Sequence, residues 1–305
     1  MPLAERNYMD DEVRKKYHQA GHIAWQALNQ GLNHIKEGIP YLEIADEIES
    51  YIKKRAEIAF PVNISANDIA AHYTPTLDDP HVFHRGDVIK IDVGAHVDGY
   101  IGDTARTLEV GTKCHQKLIT SSERALRAGL GAIRNNVSVQ HIGSSIEKSI
   151  KDDNFNPVDN LNGHQLQQYI LHAGVSIPNI DGKNGRVLTT GDAVAIEPFV
   201  TSGQGHVKNS TNGNIYHLLP KGKIHSPRVR ESYALIKEHF GNLPFAGRWL
   251  AEYIPQKRIP LILSILQRRR LVTSYKTLVE MSGHMVAQAE NTVIVTDNGC
   301  EITTQ

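Results

Sequence analysis

The sequence has few cysteines, no long apolar run and no excess of charge of either sign. Its two cysteines, Cys114 and Cys300, cannot form a disulfide framework and lack metal-ligand spacing, which favours a reducing compartment. No run of eighteen apolar residues is present, and the first residues lack the apolar core of a signal peptide, so we expect a cytoplasmic protein without a membrane segment. The 33 Lys and Arg balance the 33 Asp and Glu, which excludes a bulk attraction of the whole chain to nucleic acid or anionic lipid.

Helical and strand patterns alternate along the 305 residues. Apolar residues recur at three- and four-residue spacing at 9–36, 41–58, 117–135 and 139–151, which predicts four amphipathic helices. Short apolar runs bounded by Gly, Pro, Asn or Asp predict strands at 87–95, 100–110, 192–200 and 291–299. Since most of these strands are separated by hairpin-like turns, the pattern predicts an α+β sandwich in which helices cover one face of an antiparallel sheet.

Two aspartates interrupt the apolar hairpin "IKIDVGAHVDGYIGDTARTL" at residues 89–108. If the turn is centred between Val97 and Asp98, Asp92 lies directly opposite Asp103, and both side chains share one face of the sheet. Opposed like charges destabilise a hairpin, and burial adds several kcal/mol per ion. Either this face is wet or the two carboxylates bind a divalent cation.

A metal site needs further ligands, and three candidates lie downstream: His164, Glu197 and Glu290. His164 stands in a Gly-flanked strand or loop and Glu290 opens a strand, so each could instead be an ordinary hydrogen-bonding or edge residue. Glu197 is harder to explain in this way, because an unpaired carboxylate is costly in the apolar strand "DAVAIEPFV". The set of two Asp, one His and two Glu suits two metal ions that share carboxylates.

Five segments in this order give the chain a resemblance to a known family. They are "NDIAAHYTP", the hairpin above, "LNGHQLQQYILHAG", "AIEPF" and "AQAENTVIV". Together they resemble the type II methionine aminopeptidases, in their archaeal-like form, which share the pita-bread fold with prolidases and creatinase. The resemblance runs nearly end to end and implies one pita-bread catalytic domain over 1–305.

The resemblance also implies a role for each site residue. Five residues would bind two divalent metal ions (Co, Mn, Fe or Zn), with Asp103 and Glu290 as bridges: Asp92, Asp103, His164, Glu197 and Glu290. His72 and His172 match two histidines that contact the scissile amide and the tetrahedral intermediate. Phe60, Leu171 and Tyr275 match the methionine pocket. The chain departs from the family's usual residues at Gln165, Asn291 and Lys276.

The activity implied is removal of the N-terminal methionine from nascent proteins and peptides with a small second residue. Two metal ions would acidify a bridging water, and Glu197 would take its proton as the general base. Crowding near the metals would limit the second residue, and an unbranched thioether would fit the pocket.

One stretch, 218–270, is basic, with eleven Lys or Arg against three Glu and a net charge of +8. Helical patterns at 231–241, 245–254 and 260–270 predict a subdomain of three short helices, and type II enzymes carry an insertion of this kind. The charge is either a solvated face or a surface for transient ribosome contact. It leaves a second function open, that of a catalytically inactive pita-bread protein that binds RNA or ribosomes, although all five ligands and both histidines are present. We expect a monomer.

Overall fold

The structure is a computed structural model that describes residues 9–182, 185–220 and 227–305. The predicted catalytic domain over 1–305 therefore includes three short segments outside the described residues. Two of the basic residues of the predicted insertion, Lys221 and Lys223, also lie outside them.

Six α-helices occur in the described residues: α1 Asp11–His34, α2 Tyr41–Lys53, α3 Gln116–Ala132, α4 Val139–Asp152, α5 Pro227–Phe240 and α6 Ile259–Arg268. The four helices predicted before residue 152 are present. The second is shorter than predicted, because the chain enters a strand at Glu57. Helix α1 begins after Asp10, whose side chain accepts a hydrogen bond from the amide of Glu12 at 2.8 Å, as an N-cap does.

Seventeen strands are found in the same residues. They are β1 Glu57–Ala66, β2 Ile69–Ala71, β3 Val88–Val97, β4 Tyr100–Glu109, β5 Val137–Ser138, β6 Asn156–Pro157, β7 Asn162–Leu166, β8 Ser176–Pro178, β9 Val187–Leu188, β10 Ala193–Ile196, β11 Phe199–Thr201, β12 Val207–Leu218, β13 Phe245–Ala246, β14 Val272–Glu280, β15 Val286–Gln288, β16 Glu290–Val295 and β17 Cys300–Ile302.

The main sheet is antiparallel and has the order β1-β3-β4-β16-β10-β7-β8, with β17 paired to β16. Its alternate residues form two faces. On one face, apolar residues of β1 and β3 pack against α1 and α2, and those of β10 and β16 pack against α3 and α4. The opposite face carries the acidic residues. A second sheet, in the order β13-β12-β14-β2, lies across the site from it.

The register predicted for the β3–β4 hairpin is wrong by two residues. The turn consists of Asp98 and Gly99, with Val97 paired to Tyr100, so Asp92 lies opposite Ala105 and not opposite Asp103. Both turn residues have positive φ, +50° and +84°, as a two-residue type I′ turn requires, and Asp-Gly supplies this at little cost. A shift of two residues keeps every side chain on its face, so Asp92 and Asp103 still share one face as neighbours on the diagonal.

The strand predicted at 192–200 is broken at the site. Strand β10 ends at Ile196, and β11 begins at Phe199 in a different sheet, of order β15-β11-β6. Glu197 therefore lies in the break and not inside a continuous strand. Pro198 explains the interruption, because it has no amide hydrogen to donate to a ladder.

The basic stretch folds between β12 and β14 around its own apolar cluster, which includes Phe245, Leu250 and Leu266. Of the three short helices predicted there, the first and third are α5 and α6. The middle segment forms 3-10 helix at Gly247–Glu252, after the short strand β13. One of its basic residues, Arg248, is buried, so the stretch is not wholly a solvated face.

Candidate active site

All ten residues predicted for the site line one cavity of about 170 Å³, which we call the central cavity. They are Phe60, His72, Asp92, Asp103, His164, Leu171, His172, Glu197, Tyr275 and Glu290. The main sheet supplies three of the acidic residues, and Glu197 follows directly after its strand β10. The second sheet supplies Tyr275 on β14 and His72 directly after β2. The cavity therefore lies between the two sheets.

Small residues separate the carboxylates on the sheet. Ala105 on β4 pairs with Asp92 on β3 on one side and with Glu290 on β16 on the other. Its short methyl side chain leaves space between the two carboxylates. Asp103 lies opposite Gly94, and a Cβ at Gly94 would come within 2.2–2.8 Å of the ring of Phe60. The small residues thus let acidic groups and an aromatic ring approach closely.

His164 joins the carboxylates from β7. Its Nε2 lies 3.6 Å from Asp103 Oδ2 and 3.6 Å from Glu197 Oε1. One donor atom from each of Asp103, His164 and Glu290 lies within 4.8 Å of the others, and all three residues are buried. Burial, with His172 nearby, lowers the pKa of His164 to about 3, so its imidazole is neutral, the form that binds a metal.

The carboxyl groups are held at a high electrostatic cost. Burial raises the pKa of Asp92 to about 7. Burial and the neighbouring carboxylates raise the pKa values of Asp103, Glu197 and Glu290 well above the ordinary range of carboxyl groups. A cation among these groups would remove the repulsion that keeps them protonated.

Three carboxylate oxygens of residues that line the central cavity are buried and have no hydrogen-bond partner in the described residues: Asp92 Oδ1, Asp103 Oδ1 and Glu290 Oε1. Unpartnered buried polar atoms are rare in proteins and call for an explanation such as an ion. Oxygen donors with one imidazole are suitable ligands for divalent first-row metals. The donor set therefore fits a metal site.

Two histidines and Tyr275 form the other side of the cavity. The ring of Tyr275 lies 5.1 Å from that of His72 and 6.3 Å from that of His172. His72 has φ +66°, an uncommon conformation for a residue with a Cβ, and its Nδ1 lies 3.2 Å from the carbonyl oxygen of Lys276. Burial lowers the pKa of His72, and desolvation with His72 and His217 lowers that of His172 to about 4.

The structure adds residues that the sequence analysis missed. Gln288 donates from Nε2 to Glu290 Oε2 at 3.1 Å, and Arg106 donates to the backbone oxygen of Glu290 at 2.6 Å. His217 on β12 lies with its ring 5.2 Å from that of Tyr275. Gln288 could have been found from its position two residues before Glu290, on the same side of an extended chain. No local sequence pattern identifies Arg106 or His217 as a residue of the site.

The three departures from the family's usual residues all lie off the central cavity. Gln165 donates to Asp192 at 3.0 Å, and Asn291 donates to Thr304 at 2.9 Å. Lys276 is exposed. The shape of the cavity therefore does not depend directly on these side chains.

A model of metallopeptidase family M24 matches residues 15–297, and the chain belongs to this family. The methionine aminopeptidase of Archaeoglobus fulgidus is 42% identical to it over 298 residues, which cover 97% of this chain and 100% of that relative. The resemblance predicted from the five segments is thereby confirmed. Membership of the family also implies the use of a divalent metal.

Solved structures share the fold. A thermophilic Arx1 superposes with a TM-score of 0.84 at 17% identity, covering 97% of this chain and 91% of that one. The methionine aminopeptidase of Thermotoga maritima superposes with a TM-score of 0.71 at 22% identity, covering 98% and 99%. At these identities the likeness concerns the fold alone, and it confirms the predicted α+β pita-bread class. No helix in the described part of the chain is both long and apolar enough to cross a membrane.

Proposed function

We propose that the protein is a methionyl aminopeptidase, which hydrolyses the first peptide bond of nascent proteins and peptides that begin with methionine and have a small second residue. Relatives with this name align with almost the whole chain at about 40% identity. The main support for the proposal is that donor atoms of Asp103, His164 and Glu290 lie close together in one cavity of a chain that belongs to family M24. The presence of all five predicted ligands and both histidines in one cavity counts against the alternative of a catalytically inactive RNA-binding or ribosome-binding protein.

The site binds two divalent metal ions in this proposal, through Asp92, Asp103, His164, Glu197 and Glu290. Asp103 and Glu290 would help to hold both ions. The unpartnered carboxylate oxygens and the neutral imidazole support it. Co, Mn, Fe and Zn all accept such donors, and the ions would supply a Lewis acid that acidifies water at neutral pH.

Proton transfer is the role of Glu197. Burial and the charge of Asp92 raise its pKa, and a carboxylate held beside the reacting centre can accept a proton from the attacking water and return it to the leaving amine. Its position in the break between β10 and β11, facing His164, keeps it at the reacting centre.

His72 and His172 bind the scissile peptide group. The contact of His72 Nδ1 with a carbonyl oxygen requires a proton on Nδ1, and this leaves Nε2 as an acceptor for the amide N–H of the substrate. His172 is then the donor to the carbonyl oxygen, where negative charge develops. The lowered pKa values of both residues support neutral imidazoles in these roles.

The methionine side chain occupies the pocket of Phe60, Leu171 and Tyr275. These side chains offer an apolar aromatic surface to a polarizable thioether. The small volume of the central cavity supports a preference for a small second residue.

The test is release of methionine from a Met-Gly peptide by protein stripped of metal and reloaded with Co, Mn, Fe or Zn in turn. Loss of an outer-shell partner of a metal site alone costs about 10–100-fold, so Asp92→Ala should lose at least about 100-fold in kcat/KM. Asp152→Ala, an exposed change on α4, is the matched control and should retain the parent rate. Release at the parent rate by Asp92→Ala would refute the assignment.

Three further assignments accompany this function. We infer one catalytic domain with 218–270 as a helical insertion, a cytoplasmic monomer, and a transient ribosome contact through the insertion. The exposed Arg268, Arg269 and Arg270 support the contact by attraction to phosphate. Co-sedimentation with ribosomes that does not change when all three are replaced by Glu would count against it.

A further inference from the structure

The central cavity adjoins a larger cleft of about 580 Å³. The two share four lining residues: Leu171, His172, Pro244 and Tyr275. We call the larger space the downstream cleft, and six of its other lining residues are Tyr169, Ile170, His217, Tyr233, Lys237 and Asn242. The two spaces meet at His172 and Tyr275, beside the proposed position of the scissile bond.

The central cavity is too small for a whole peptide. Pockets that enclose a drug-sized ligand are about 300–1,000 Å³, and this cavity is about 170 Å³. Its lining includes the buried side chains of Phe60 and Phe199, which leave room for the first residue and a small second one. The later residues of a longer peptide must therefore leave the cavity, and the downstream cleft adjoins it along their shared lining residues.

One wall of the downstream cleft is a tightly held loop with exposed apolar side chains. Tyr169 and Ile170 are 42% and 44% exposed. The backbone is fixed nonetheless, because the amide of Tyr169 donates to the oxygen of Gly99 at 2.8 Å and Gln167 and Ile170 exchange backbone hydrogen bonds. An aromatic side chain on a fixed backbone loses little entropy when it binds a partner.

The other wall comes from the insertion. Tyr233 and Lys237 lie on α5, and Asn242 and Pro244 lie in the loop that follows it. Lys237 is exposed. Among the described residues that line the cleft, it is the one with a charged side chain at neutral pH. The insertion thus brings an ammonium group and an amide to the path of the peptide.

His217 lies between the two walls with an unused polar atom. Its Nδ1 is buried and has no hydrogen-bond partner in the described residues. Leaving such an atom unpaired costs about 1–3 kcal/mol. The residue as a whole is half-buried, so a rotation of the ring towards the cleft would let a bound peptide supply the missing partner. The ring also packs beside Tyr275, where the two spaces meet.

We propose that the downstream cleft binds the third and following residues of the substrate, with His217 hydrogen-bonded to the peptide backbone and Tyr169 packed against a side chain. This inference rests on the proposed aminopeptidase function and extends it. The substrate class is an extended chain of at least four residues. Lys237 favours an acidic residue in the cleft over a basic one.

The experiment compares hydrolysis of Met-Gly-Ala with hydrolysis of Met-Gly-Ala-Glu-Ala by the metal-loaded full-length protein. We expect kcat/KM to be about tenfold higher for the longer peptide, equivalent to about 1.4 kcal/mol of added binding energy. In Tyr169→Ala the ratio of the two values should fall to about twofold or less. Replacing Glu by Lys in the longer peptide should lower kcat/KM about threefold, and Lys237→Glu should reverse that preference.

Matched controls lie on the insertion outside the cleft. Tyr253→Ala removes a tyrosine of similar exposure, 40%, and Lys257→Glu makes the same charge change, so both should keep the parent ratios. Equal kcat/KM values for the short and long peptides, or an unchanged ratio in Tyr169→Ala, would overturn the inference while leaving the proposed function intact.

A binding measurement separates the two proposals. The probe is Met-Gly-Ala-Glu-Ala with a reduced first peptide bond, which cannot be hydrolysed, labelled at its C-terminus for fluorescence anisotropy. Weaker binding by Tyr169→Ala than by Tyr253→Ala would support the cleft even if no Met peptide were cleaved. Equal binding by the two variants would count against it.

Discussion

Replacing Asp92 by Asn should stabilise the metal-free protein and weaken its stabilisation by divalent ions. Asp92 holds a carboxyl group in a buried cluster with Asp103, where its charge is opposed by desolvation. Asn has almost the same shape and no charge. The cluster is therefore expected to reduce stability in exchange for metal binding, as functional sites commonly do.

The size of the effect follows from the pKa of Asp92, which burial raises from 3.8 to about 7. A rise of this extent corresponds to about 4 kcal/mol lost when the group ionises in the folded protein. Because the Asn amide cannot pair with every neighbour, we expect a gain of about 2–4 kcal/mol at pH 8. For a chain of this length that is about 3–6 °C in Tm.

The pH dependence has a definite sign. A carboxyl group with a raised pKa in the folded state holds its proton more tightly there, so the metal-free parent loses stability as the pH rises from about 4 to about 7. The advantage of Asp92→Asn should therefore shrink as the pH falls through this window and vanish near pH 4. Added divalent ion at 100 times its Kd should stabilise the parent by about 2.7 kcal/mol, and Asp92→Asn much less.

The assay is thermal and urea unfolding of chelator-treated protein at several pH values, with and without each ion. Asp152→Asn is the control, since its exposed ion pair with Lys148 on α4 is worth about 0.3–0.5 kcal/mol at most. A metal-free Asp92→Asn protein that is less stable than the parent at pH 8 would show that the carboxylate is not held at a cost. A parent whose Tm no divalent ion raises would refute the link between this cost and metal binding.

Two further predictions concern the packing that supports the site. Glu49→Gln should lower the free energy of unfolding by about 3–5 kcal/mol in urea titrations, because it leaves buried Arg248 with only the exposed carboxylate of Asp46 at 3.9 Å. The double change Glu49→Leu with Arg248→Met should recover much of this loss. Gly102→Ala should lower Tm markedly in calorimetry, because its Cβ would lie 2.3 Å from the backbone of Gly21 in α1. Gly131→Ala on α3, where nothing lies within 4 Å, should leave Tm unchanged or raise it, and an equal loss in both Gly variants would contradict the packing argument.

The elements that the sequence predicted well are those with a local cause. Helices α1 to α4 follow from apolar spacing, and their ends lie within a few residues of the predicted ones except at α2. The shared face of Asp92 and Asp103 follows from strand alternation alone, which is why it holds even though the predicted register is wrong. The Asp-Gly pair carries the information for the correct turn, through its tolerance of positive φ.

The candidate residues could be chosen from the sequence because a carboxylate in an apolar segment is costly without a partner. This argument selected Asp92, Asp103 and Glu197. The search for further ligands added His164 and Glu290, and the family resemblance added the other two histidines and the pocket. The same argument has no means to find His217 or Arg106. Polar residues on strands are common, and their contacts here involve segments far apart in the chain.

Sequence by itself determined the residue types of the site, the faces of the strands and the class of the fold. Tertiary structure alone decided that ten distant residues share one cavity, that Glu197 occupies a strand break, and that Arg248 of the basic stretch is buried against Glu49. The physical reason is the separation along the chain of the residues that determine each property. Backbone conformation and side-chain alternation are set by near neighbours, whereas burial, and with it the pKa of a carboxylate, depends on whatever part of the chain packs against it.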